Sequence, residues 1–90
     1  MSETSLVEAG LNDTKQLMQA GKFVEAENHL LRLLVNAPKQ GDALYMMAVC
    51  LRYQKKYPEA LEILRKLRLL VPDHSRAYQE IGHVYRAMNQ

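Results

Sequence analysis

Cysteine is almost absent. The chain of 90 residues has one, Cys50, so no disulfide forms within it and no thiolate metal cluster is available. That pattern fits a reducing compartment. Glycine and proline are scarce, at 4 and 3 residues, which excludes a flexible linker or a low-complexity disordered segment. The glycines Gly10, Gly21, Gly41 and Gly82 stand too far apart to build a phosphate-cradling loop. No stretch reaches the roughly 18 apolar residues that a membrane-crossing helix requires. The opening MSETSLVEAG has neither the basic region nor the apolar core of a secretory signal, so a cytoplasmic location is expected. The three histidines, His29, His74 and His83, lack the i, i+4 spacing of a helical zinc site, and no cysteine pair accompanies them. His29, among leucines, is expected at the surface or at an interface. No serine has a histidine and acid beside it in a pattern that suggests a nucleophile. No cofactor, no metal and no catalytic residue are therefore expected.

What the chain does have is helix-forming material. Leucine, alanine, methionine, lysine, arginine, glutamate and glutamine are plentiful, and all favour the α-helix. At this size the fold buries only about 60–65% of the surface the unfolded chain exposes, so one small domain is expected. Formal net charge is +2, unevenly spread: residues 1–50 carry 4 basic and 6 acidic side chains, residues 51–90 carry 8 and 4. A field this weak disfavours nucleic acid as the partner, although the basic second half suits an acidic one.

The strongest signal is an internal repeat. Pro38 and Pro72 lie 34 residues apart. The same offset sets Lys22 on Lys56, Phe23 on Tyr57, Ala26 on Ala60, Leu30 on Leu64 and Leu33 on Leu67. Continued, it sets Ala43 on Ala77, Met47 on Ile81, Ala48 on Gly82 and Arg52 on Arg86. The matches fall at small and apolar positions with helical spacing, as a stacked structural unit requires. In the middle unit, Leu44, Met47, Ala48 and Leu51 follow the i, i+3, i+4, i+7 pattern of a buried stripe. They predict a helix over about 42–54, capped by Gly41 or Asp42. A second helix over about 58–70 has Pro58 in its first turn, where a missing N–H is tolerated, and Pro72 beyond its end. Equivalent helices are expected over about 6–19, 24–36 and 76–88. The first of these is degenerate, with Gly10, Asp13 and Thr14 where the middle unit has Leu44, Met47 and Ala48. Ser5 followed by Glu8 suggests its cap.

This pattern resembles the tetratricopeptide repeat. Leu44, Met47, Ala48, Leu51, Ala60, Leu64, Leu67 and Pro72 occupy the family's positions in the middle unit. Tyr78, Ile81, Gly82 and Tyr85 do so in the third, and Ala26, Leu30, Leu33 and Pro38 in the second half of the first. The resemblance implies an all-α fold, a right-handed α-solenoid of antiparallel helix pairs with about five helices. Repeat one would cover about 7–40, repeat two about 41–74, and a half repeat about 75–90. Small residues at Ala26, Ala48, Ala60 and Gly82 would let neighbouring helices approach closely, while Leu33 and Leu67, larger than the usual alanine, would open the packing slightly.

The resemblance further implies a protein–protein interaction module whose first helices line a concave groove. The middle unit would supply Tyr45, Met46, Val49, Arg52 and Tyr53. The third would supply Arg76, Gln79, His83 and Arg86, and the first Leu11, Asn12, Lys15, Met18 and Gln19. Tyrosine and arginine commonly anchor interfaces, and methionine adapts to varied shapes. Such a surface suits an apolar protein or peptide segment bearing carboxylates. It is not the clamp that holds chaperone C-termini, whose positions here carry Leu11, Lys15, Met46, Arg76 and Glu80; only Arg76 is suitable, and Glu80 would repel a carboxylate. The third unit holds only a first helix, which would leave Ile81, Val84, Tyr85 and Met88 partly bare. Two expectations follow: a continuation beyond residue 90 in a longer protein, and self-association through the helix over about 76–88. As a continuation, the chain would be the recruitment arm of a larger bacterial enzyme such as a sulfotransferase-like transferase.

Overall fold

The 34-residue period becomes five helices. The computed structural model describes residues 3–90. It places α1 at Glu3–Gln19, α2 at Phe23–Asn36, α3 at Gly41–Tyr53, α4 at Tyr57–Leu70 and α5 at Ser75–Met88. Each helix packs on the next; α1 also touches α3, and α3 touches α5, whereas α2 and α4 stay apart. The first helices thus line up side by side, with α3 in the middle carrying about half of the core. Eight consecutive or nearly consecutive α3 residues, from Ala43 to Leu51, are buried.

The caps follow the same period and differ from the expected ones. Gln40, not Gly41 or Asp42, caps α3, its side-chain oxygen accepting from the Asp42 N–H at 2.8 Å. His74 caps α5 34 residues later, its Nδ1 accepting from the Ala77 N–H at 3.1 Å. Both satisfy a helix N–H that has no partner within the helix. Helix α1 already includes Glu3, so Ser5 lies inside the helix and is not its cap.

The turns inside the helix pairs repeat too. Gly21 and Lys55, again 34 apart, are left-handed, with φ of 76° and 63°. In the first turn Lys22 N–H reaches Leu17 O at 2.9 Å, and in the second Lys56 N–H reaches Leu51 O at 2.9 Å. These are the closing bonds of a helix C-terminal motif that favours glycine at the left-handed position. Lys55 carries a Cβ there and is exposed. Lys55→Gly is therefore expected to stabilise the protein by about 0.5–1 kcal/mol, read as a rise in melting temperature. Gly21→Ala, made in parallel, should lower it.

Packing modifies three expectations. A Cβ on Gly10 would lie 2.9 Å from Leu33 Cδ1, so the missing side chain on α1 makes room for the large Leu33 on α2. Gly82 plays no such part: a Cβ there would meet nothing within 4 Å. On α5, Val84 is fully buried rather than bare, while Tyr85 and Met88 are about half exposed. The difference lies in the helix rotation, which turns Ala77, Glu80 and Val84 toward α3 and α4.

Candidate partner-binding site

Leu11 and Met18 stand on α1 two turns apart, with Lys15 between them, and Tyr45 and Met46 open α3. Their side chains, with Gln19 and Arg76, line a pocket of about 320 Å³. It is built entirely from first helices, so the stacking of α1, α3 and α5 creates it. Asp42, expected as a helix cap and not as a groove residue, completes the lining. Leu11 and Met46 are buried and form part of the core cluster, and Met18 and Tyr45 pack against it. The floor is therefore apolar. Lys15 and Arg76 are exposed, and neither makes an ion pair among the described residues. Tyr45 is held in place by His74, whose ring centroid lies 5.8 Å away. The arrangement can seat one or two apolar side chains and offer cations to carboxylates beside them.

The other expected groove residues go elsewhere. Val49 is buried within α3. Arg52 is not a free cation: its guanidinium Nε donates to Glu80 on α5, and its second nitrogen donates to the other Glu80 oxygen at 3.3 Å. Glu80 is only 2% exposed. The expectation that Glu80 repels carboxylates fails for this reason, since its charge is already neutralised. Burial works against the Arg52 cation, but hydrogen bonding and attraction to Glu80, helped by Tyr53, outweigh it and raise its pKa.

Tyr53 stacks flat on Phe23, centroids 4.5 Å apart and planes within 2°, and Arg52 lies over its ring at 4.6 Å. It joins α3 to α2 more than it faces a ligand. Asn12, Gln79, His83 and Arg86 are exposed but outside the pocket, and Arg86 reaches His83 Nδ1 at 3.4 Å on the same helix.

His29 lies at the interface of α1 and α2. It is half-buried, and its Nδ1 lies 2.7 Å from Oγ1 of the fully buried Thr14. Thr14 Oγ1 also lies 2.8 Å from Gly10 O, to which it donates. The hydroxyl thus ties the His29 ring to α1 through Nδ1. Cys50 is buried, and burial, with a contribution from Glu27, pushes its thiol up to about 12. It stays protonated at neutral pH and is no nucleophile.

A family model described as tetratricopeptide repeat matches residues 17–82, more than half of the chain and the segment where the paired helices, turns and caps repeat. The chain belongs to the tetratricopeptide repeat family. Repeats of this family generally mediate protein–protein interaction. A search among curated proteins finds no match. Within the described residues, no helix of this tetratricopeptide repeat protein is long and apolar enough to cross a membrane.

Proposed function

We propose that this tetratricopeptide repeat protein is a scaffold that binds one partner protein through the pocket between α1, α3 and α5. The partner supplies a short segment in which an apolar side chain is flanked by aspartate or glutamate. The observation that carries this reading is the pairing of an apolar floor, Leu11, Met18 and Met46, with the uncompensated cations Lys15 and Arg76 at its edges. Two exposed cations at a rim add modest affinity and a strong preference for partner sign. Asp42 on the same lining disfavours a uniformly acidic ligand and limits the carboxylates to the sides where Lys15 and Arg76 stand. The role is to hold and not to catalyse, in keeping with a thiol locked in the core. A single free cysteine also suits the cytoplasm.

The test is a peptide display selection against the purified protein. Selected peptides should combine Leu, Ile or Met with neighbouring Asp or Glu, and Lys15→Glu with Arg76→Glu should weaken them by about tenfold or more. Glu62→Lys on α4, outside the pocket, should leave them unchanged. Selection of basic peptides, or equal loss with the α4 variant, would refute the assignment.

A further inference from the structure

A second pocket, of about 460 Å³, lies between α1 and α2 and shares no residue with the one described above. Its apolar wall is Leu6 and Val7 from α1 with Leu33 and Ala37 from the end of α2. Its polar wall is His29, Arg32 and Asn36, which follow one another along one face of α2 at i, i+3, i+7. Among the described residues, no acidic side chain lines it. Gly10 completes the floor.

The polar wall differs from what the repeat would place there. One period later, the positions of His29 and Asn36 are Ile63 and Leu70, and that of Gly10 is the buried Leu44. The pocket therefore exists because the first unit departs from the second. A bulky side chain is missing at Gly10, and polar groups replace apolar ones on α2.

These polar groups are available. Arg32 makes no ion pair, and neither it nor Asn36 has a hydrogen bond among the described residues. Thr14 engages Nδ1 of His29 from beneath, which leaves Nε2 as the ring nitrogen free to meet a ligand. The ends of α1 and α2 that meet here are an N-terminal and a C-terminal turn, so their dipoles oppose one another and the sign of the site is set by Arg32.

From this we infer that the α1–α2 pocket is a binding site for a small amphiphilic carboxylate. Its tail lies against Leu6, Val7 and Leu33, and its carboxylate meets Arg32 and Asn36. Arginine presents paired donors suited to a carboxylate, and the pocket volume lies in the range of small-molecule sites. The site goes beyond the partner groove and stands or falls separately from it.

Octanoate, acetate and octan-1-ol titrated into the full chain, with backbone amide shifts as the readout, test the inference. Octanoate should shift Gly10, His29 and Leu33 and bind about tenfold more tightly than acetate or octanol, because only it uses both walls. Arg32→Gln, at an exposed position, should weaken octanoate by at least about threefold, while Arg76→Gln in the other pocket leaves it unchanged. Octanoate no tighter than octanol, shifts confined to other residues, or insensitivity to Arg32→Gln would each overturn it.

Discussion

Arg52→Ala is expected to cost about 3–5 kcal/mol of folding stability, measured by urea titration with helical circular dichroism as the probe. Removing the guanidinium leaves the Glu80 carboxylate 2% exposed with neither of its two Arg52 hydrogen bonds. A carboxylate stranded in that way is far costlier than a lost surface pair. The converse variant, Glu80→Ala, should cost less, because the Arg52 side chain is 21% exposed and can turn its charge toward water. The asymmetry separates this account from a simple loss of packing, which would make the two substitutions similar. A domain of this size has a total stability of only about 5–10 kcal/mol, so Arg52→Ala should be the more nearly unfolded of the two.

The repeat itself supplies the rescue. Arg52 and Glu80 are 28 residues apart, and one period earlier the same two positions hold Met18 and Met46. The α1–α3 contact thus carries two methionines where the α3–α5 contact carries an ion pair. The double variant Arg52→Met with Glu80→Met should regain most of the loss, since apolar residues of similar volume commonly replace a buried ion pair at no net cost. Single methionine substitution at Arg52 should not.

That comparison also marks what the sequence could reveal. The five helices were legible because small and apolar residues recur at 34 with helical spacing, and packing requires that recurrence. The convergence of residues on the pocket between α1, α3 and α5 was legible in part. Lys15, Met18, Tyr45, Met46 and Arg76 were identified through the resemblance and do converge. Arg52 and Tyr53 were not separable from them, because a residue on the correct helix face can be taken by an intramolecular partner. Glu80 lies on a different helix, and Phe23 on another; pairings of this kind depend on helix rotation, which periodicity fixes only to within a residue. A signal was present nonetheless. Two opposite charges replacing two methionines at period-related positions are a covarying substitution within a single chain. The same kind of signal marks the Thr14–His29 contact, where both residues depart from the apolar pair Ala48 and Ile63.

Leu64→Ala is expected to cost about 2–5 kcal/mol, the second large effect. Leu64 is fully buried on α4, the helix that packs against both α3 and α5. Its side chain has no exposed surface through which neighbours could collapse into the vacated space, so both the lost burial and the remaining cavity contribute. Leu69, five positions along the same helix, is 79% exposed, and Leu69→Ala should change stability by less than about 0.5 kcal/mol. Composition cannot distinguish these two leucines; the stripe Ala60, Leu64, Leu67 does, and Leu69 falls outside it. The loss should appear as one cooperative transition in urea, with α3 and α5 melting together, because α4 is wedged against both. Since α3 and α5 also carry Tyr45, Met46 and Arg76 to the pocket, partner binding should weaken in step with the unfolded fraction and not before it. Binding lost at urea concentrations where the helices persist would mean that Leu64 shapes the pocket directly, although it is not part of the lining.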